Sequence, residues 1–214
     1  MTHSLGQHTN RITDNFNRLY YDSRIWEHTY WLGTPALKCP MDLWVYQELI
    51  VEVRPDVIVE CGTWDGGSAM FLASICNLLK HGRIVTIDID PREHRPKHKR
   101  VKYITGSSVA PDVIETVLRQ INRKDRVLVI LDSDHSKTHV LSEMRAYAPL
   151  VTVGSYLIVE DTNINGHPVY PEFGPGPMEA LEEFLAERDD FEIDPSREKF
   201  VVTFNPKGWL RRVR

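Results

Sequence analysis

No stretch of this 214-residue chain approaches the roughly 18 consecutive apolar residues that a membrane-spanning helix needs. The opening Met1-Thr2-His3-Ser4 is polar and lacks the apolar segment of a secretory signal. Membrane insertion and export are not expected, and the expected location is cytoplasmic. Cysteine is scarce. Cys39, Cys61 and Cys76 are an odd set with no CxxC spacing, so no disulfide framework is expected and a reducing compartment is the default. Cys61 and Cys76 fall in apolar stretches and read as core thiols. An excess of positive charge is missing too. The 26 Lys and Arg stand against 30 Asp and Glu, a net charge of −4, which argues against general nucleic-acid binding. No internal repeat, low-complexity tract or linker divides the chain. What is present is an ordinary composition, 42% hydrophobic and 26% charged, on a length sufficient for one α/β domain with a sizeable core.

The segment from Asp56 to Asp88 says most. Asp56-Val57-Ile58-Val59-Glu60 is an apolar run closed by a carboxylate, and the glycine-rich Cys61-Gly62-Thr63-Trp64-Asp65-Gly66-Gly67-Ser68 follows it. A helical stretch then leads to Arg83-Ile84-Val85-Thr86-Ile87-Asp88, a second apolar run with an acidic tip. Strand, glycine-rich turn, helix and strand make a βαβ unit suited to a nucleoside. Glycines let the backbone approach the ligand, and Asp88 can accept hydrogen bonds from ribose hydroxyls. The turn is neither the G-x-G-x-x-G of dinucleotide folds nor a P-loop with its Lys-Ser/Thr end. Glu60 would repel a phosphate and suit a cation. The motif resembles the E-x-G-x-x-x-G signature of class I S-adenosylmethionine-dependent methyltransferases, whose cofactor carries a ribose, a sulfonium and an ammonium but no phosphate. The residues of this cofactor site are Glu60, Gly62, Thr63, Gly66, Ser68 and Asp88. Ser107 and Ser108 after the third strand can bond the adenine or ribose, and Asp132 can hold the ammonium.

Periodicity places the other elements. Asp42 is positioned to cap a helix through about Val51, with Leu43, Tyr46, Leu49 and Ile50 on one face. Strands are predicted at Val57–Cys61, Arg83–Asp88, Lys102–Thr105, Val127–Leu131 and Ser155–Val159. The intervening helices span Gly66–Lys80, Pro111–Ile121 and Ser136–Tyr147, and another runs from Gly176-Pro177 to about Glu187. Phe191–Ile193 and Phe200–Phe204 read as two closing strands. This alternation requires a doubly wound, mostly parallel sheet with helices on both faces. Residues 1–40, rich in Tyr and Trp, form an N-terminal helical extension, serving as a lid or an oligomer contact. The basic loop Arg92–Lys102 is either solvated or faces an acidic substrate or partner.

Carboxylates gather at the carboxyl ends of the strands, where ligands bind in such sheets. Asp132-Ser133-Asp134-His135 and Glu160-Asp161 close successive strands. Converging carboxylates repel one another unless a cation lies between them. All-oxygen donors suit Mg2+, with Mn2+ and Ca2+ as further candidates. The metal candidates are Asp132, Asp134, Glu160 and Asp161. His135 is the candidate catalytic base that takes a proton from an acceptor hydroxyl, with His139 a weaker one. Asn163–Phe173, rich in Pro and Gly, can line an acceptor pocket through His167 and Tyr170.

The layout of an Asp, a base three residues later and an adjacent acid pair resembles metal-dependent O-methyltransferases. It is most similar to the cephalosporin hydroxylase/rhamnosyl O-methyltransferase family. The matching pieces are Asp42-Leu43-Trp44-Val45-Tyr46-Gln47-Glu48, Glu60-Cys61-Gly62-Thr63, Leu131-Asp132-Ser133-Asp134-His135, Val159-Glu160-Asp161-Thr162 and Pro175-Gly176-Pro177. The resemblance implies a Rossmann-like class I methyltransferase with a seven-stranded sheet over residues 41–214. Its implied function is a metal-dependent, S-adenosylmethionine-dependent O-methyltransferase acting on a small-molecule hydroxyl of a sugar or natural-product intermediate, as a homo-oligomer. Within this family Asp134 stands where the metal ligand sits, whereas catechol-type spacing points to Asp132. A hydroxylase and a non-catalytic nucleoside-binding subunit are the alternatives. The hydroxylase is disfavoured because no H-x-D or H-x-E pair occurs.

Overall fold

Val57–Cys61, Val127–Leu131 and Tyr156–Val159 are uninterrupted apolar or near-apolar runs, buried throughout. Such runs belong to central parallel strands covered on both faces. The computed structural model describes the chain from Thr2 onward, with side chains from Arg11. An N-terminal helix, α1 (Thr2–Asp22), leads to a short hairpin of β1 (Tyr30–Trp31) and β2 (Thr34–Pro35). The main domain then runs α2 (Pro40–Val53), β3 (Val57–Cys61), α3 (Gly67–Leu78), β4 (Arg83–Asp88), β5 (Val101–Thr105), α4 (Pro111–Leu118) and β6 (Val127–Leu131). It ends with α5 (Lys137–Tyr147), β7 (Tyr156–Val159), α6 (Pro177–Glu187), β8 (Phe191–Ile193) and β9 (Trp209–Arg212).

The seven-stranded sheet has the order β5-β4-β3-β6-β7-β9-β8. Strands β3 to β7 pair in parallel, while β9 is antiparallel to both β7 and β8. The chain reverses its direction of winding at β3, between β4 on one side and β6 on the other. That is the crevice where doubly wound sheets bind ligands. Alternation along β3 sends Val57, Val59 and Cys61 into one core layer with residues of α4, α5 and α6, and Ile58 into the other with residues of α2 and α3. Each fully buried aliphatic side chain there contributes roughly 1.5–3 kcal/mol.

Two local expectations are corrected. The closing partner of β8 is Trp209–Arg212, not Phe200–Phe204. Val202 and Phe204 are instead buried against Cys39 and the arm residues Tyr20, Tyr21 and Trp26, with Trp26 edge-on to Phe204 at 5.8 Å. Their apolar character serves tertiary packing rather than a ladder. Asp42 caps no helix. It lies inside α2, buried, and its Oδ2 accepts a hydrogen bond from the Phe204 backbone N–H at 2.8 Å. Pro40 starts the helix two residues earlier, its missing N–H costing nothing in the first turn.

Candidate active site

The first half of the site is the turn between β3 and α3. Gly62 has φ +92°, and a Cβ there would lie 1.8 Å from the Asp132 carbonyl oxygen. Only glycine allows the β3 turn to sit this close to the β6 turn. Gly67 is equally constrained from above, where a Cβ would meet the Pro35 carbonyl at 2.1 Å. The arm thus lies directly on the turn. Asp88, at the tip of β4, fastens the same turn. Its Oδ2 accepts from the backbone N–H groups of Thr63 (2.9 Å) and Trp64 (2.7 Å), and its Oδ1 accepts from Asp90 N–H at 2.8 Å. Arg95, almost completely buried, donates from Nε to the Trp64 carbonyl at 2.7 Å and lies 3.2 Å from Asp88 Oδ2. Arg92 stacks over the Trp64 ring at 3.9 Å and pairs with Asp65. Part of the basic loop is therefore neither solvated nor free for an acidic partner.

The second half is built from the ends of β6 and β7. The parallel ladder continues one residue past the strands, through Asp132 N–H to the Cys61 carbonyl and Glu160 N–H to the Leu131 carbonyl. Asp132 and Glu160 therefore begin their loops at the same level as Gly62. Asp161 then takes φ +54°, a left-handed conformation uncommon outside glycine and tolerated by Asp. Asn205 accepts the Asp161 N–H at 3.0 Å and holds that turn. The result is that Asp161 Oδ2 lies 3.0 Å from His135 Nε2, and Asp132 Oδ1 lies 3.5 Å from the same atom. Ligand atoms of Asp132, His135 and Asp161 all fall within 4.8 Å of one another. His135 Nε2 is out of solvent, yet it makes no hydrogen bond of proper geometry. An atom so placed between two carboxylates fits a cation in the centre, so the donor set is compatible with a divalent ion.

Charge here is strongly organised. Burial opposes the imidazolium, yet Asp161 and Asp132 carry the His135 pKa well above its ordinary value. Burial likewise opposes the Asp132 carboxylate, but Lys38 and His135 hold it below the usual carboxylate range. Lys38, from the arm, is buried and reaches Asp132 Oδ2 and Glu160 Oε1, the latter at 2.6 Å. Burial would strip its proton, but the two carboxylates raise its pKa above that of an ordinary lysine. Tyr46 donates to Glu160 Oε1 at 2.7 Å. Burial pushes Glu160 up to about 8, with Lys38 opposing.

Both halves open into one cavity of about 780 Å3. Gly62, Thr63, Ser68, Asp88, Ser107, Ser108, Asp132, Asp134, His135, His139 and Asp161 line it; Glu60, Gly66 and Glu160 do not. Glu60 was expected to face a cofactor cation, but it is 1% exposed and its Oε2 accepts from Thr86 Oγ1 at 2.6 Å. Gly66 faces Tyr103 of β5 and Pro96 of the loop before it. Glu160 is taken up by Lys38 and Tyr46. Asp134 turns away from the acid cluster, where its Oδ1 accepts Ser136 N–H at 2.7 Å at the start of α5. The Ser108 hydroxyl donates to buried Glu143, which also accepts from Ser133 at 2.6 Å. His139 is 3.1 Å from that hydroxyl and is not among the residues that converge with Asp132 and Asp161. His167 is held by Glu179 at 2.9 Å and lies outside the cavity lining, whereas Tyr170 is part of it. Sequence reasoning placed Arg95 only within the basic loop and did not assign Lys38, Tyr46, Glu143 or Asn205 to the site. Tyr46 lay in a quoted motif, but nothing there distinguished it from a core residue.

This strand order, with its nucleoside-type turn at the switch point, defines a class I methyltransferase fold. Solved structures agree. CmcI in an apo form superposes with a TM-score of 0.69 at 24% identity, covering 88% of this chain and 77% of that one. An O-methyltransferase from Bacillus cereus in complex with SAH gives a TM-score of 0.56 at 19% identity, covering 72% of each chain. Within that class, residues 23–213 match the family described as Rhamnosyl O-methyltransferase/CmcI, and the chain belongs to this family. Its relatives include a rhamnosyl O-methyltransferase of Mycobacterium leprae, 39% identical over 210 residues that cover 95% of this chain and 92% of the relative. One of Mycobacterium bovis is 40% identical, with 94% and 85% covered.

Proposed function

We propose that this protein is an S-adenosylmethionine-dependent O-methyltransferase that acts with a divalent metal on a hydroxyl of a deoxysugar of the rhamnosyl type. The observation that carries this reading is the shared cavity, with a glycine-rich turn fastened by Asp88 on one side and Asp132, His135 and Asp161 converging on the other. The family's curated members, named rhamnosyl O-methyltransferases, support the reaction and the acceptor class. The turn, Ser68 and Ser107 would bind the nucleoside part of the methyl donor. Asp132 and Asp161 would hold the ion, which supplies Lewis-acid polarisation of the acceptor oxygen. His135 points its Nε2 at the same place, and its neutral form would accept the acceptor's proton there. Tyr21, Trp26, Tyr170 and Phe173 line the outer cavity, and aromatic faces of this kind suit the C–H faces of a sugar.

The arm, residues 1–40, serves in this reading as lid and subunit contact. On α1, Ile12, Phe16 and Leu19 are 71%, 47% and 67% exposed, an apolar stripe that fits a homo-oligomer. Sedimentation should find more than one chain per particle. The three free, buried cysteines fit a reducing cytoplasm.

Calorimetric titration of S-adenosylmethionine, with and without Mg2+, tests the central reading on wild type and Asp161→Asn. Cofactor binding with a separate Mg2+ signal that Asp161→Asn abolishes is expected. The variant should also lose methyl transfer to a rhamnosyl acceptor by roughly 100-fold or more. No cofactor binding would remove the reading. Cofactor binding without any metal signal would leave a methyltransferase working through His135 alone.

A further inference from the structure

Lys38 is a cation that the arm delivers into the acid cluster. Its ammonium pairs with Asp132 Oδ2 and Glu160 Oε1, and its side chain is 5% exposed. Asp132 is thereby shared, with one oxygen on Lys38 and the other facing His135 and Asp161. Glu160 Oε1 is occupied from two sides, by Lys38 and by the Tyr46 hydroxyl. In this arrangement Asp132 and Asp161 already face two basic groups, Lys38 and His135. A divalent ion entering between Asp132 and Asp161 would stand close to a fixed ammonium in a site of low dielectric, where like charges repel strongly.

We propose that Lys38 is a built-in counter-ion of the acid cluster, and that a divalent cation between Asp132 and Asp161 binds in competition with its ammonium for the charge of Asp132. The inference rests on the metal reading given above and adds a residue that sets metal affinity. It also links the arm to the metal. Pro35, three residues before Lys38, presses its carbonyl on Gly67 of the donor turn, so the segment that covers the donor turn also carries the competing charge.

The test measures Mn2+ binding by electron paramagnetic resonance, together with thermal melts in the presence and absence of Mn2+. The proteins are wild type, Lys38→Met and Lys38→Arg. Lys38→Met is expected to bind Mn2+ at least about tenfold tighter than wild type, which corresponds to one decade of the binding constant. Its melting temperature without metal should fall below wild type, because Asp132 and Glu160 are left buried without their partner, and added Mn2+ should raise it by more than it raises wild type. Lys38→Arg keeps the charge and should stay near the wild-type affinity. Equal or weaker Mn2+ binding by Lys38→Met overturns the proposal, as does equal tightening by Lys38→Arg, which would assign the effect to packing. Should Lys38→Met be unfolded without metal, Mn2+ must restore its circular dichroism, and failure to do so counts against the proposal. Absence of Mn2+ binding in both wild type and Lys38→Met takes away the metal reading and this inference with it. That pattern differs from wild-type binding that Lys38→Met leaves unchanged.

Discussion

Gly62 carries two constraints at once, a positive φ and the Asp132 carbonyl at its α-carbon. Gly62→Ala must move either the donor turn or the acid loop. It should destabilise the protein by about 3 kcal/mol or more, seen as a lower denaturation midpoint, with cofactor binding lost in whatever fraction still folds. Glu60 makes a different kind of prediction. Burial, the largest influence, pushes its pKa up to about 7 against hydrogen bonds from Thr86 and Ser68. The value lies above that of an unfolded glutamate, about 4.3, so between these two pH values the folded state holds more proton than the unfolded one. Stability therefore falls as pH rises through that window, and the contribution is gone above about pH 7. Glu60→Gln carries no such proton. Denaturant titrations at pH 5 and pH 8 should show a smaller loss in the variant than in wild type, the difference being on the order of 3 kcal/mol.

At the scale of elements, the loop after β4 is a latch on the donor turn. Arg95 holds both the Trp64 carbonyl and Asp88. Arg95→Ala should loosen the turn without unfolding the sheet, weakening S-adenosylmethionine by roughly tenfold, the size expected for losing a charged hydrogen bond. Calorimetry of the variant would show this, and an unchanged affinity would make the latch a matter of loop stability alone. This is also the scale at which the sequence was most legible. The runs at β3, β4, β6 and β7 are mostly apolar because both faces are covered, and their tips carry the acids because the site lies there. The last strand was misplaced because Phe200–Phe204 is apolar for another reason: Val202 and Phe204 fill the space under the arm. Lys38 and Asn205 were illegible because each acts across the fold on a partner distant in sequence, and neither sits in a pattern. Glu60 and Glu160 were legible as strand-end acids but not as buried ones, since burial depends on what packs over the strand end.

For the whole molecule, donor binding and folding are linked. A ligand that binds only the folded state at 100 times its dissociation constant adds about 2.7 kcal/mol. For a chain of this length that corresponds to roughly 5–10 °C in melting temperature, so S-adenosylmethionine should raise the melting curve by that amount. A saturating addition without a shift would disagree with a nucleoside site at the switch point.

The strand ends also act as a ruler. Gly62, Asp132 and Glu160 stand at one level across β3, β6 and β7 because the hydrogen-bond ladder pairs Cys61 with Leu131 and Leu131 with Val159. Neighbouring strands are about 4.8 Å apart, so the step from the donor turn to the first acid, and from it to the acid pair, is a property of the sheet and not of the chain between them. Lengthening the connections through α3 or α5 would leave that measure intact. A slip of one residue in β6 would exchange Asp132 for its neighbour on the opposite face, and the distance a methyl group must cross would no longer be defined.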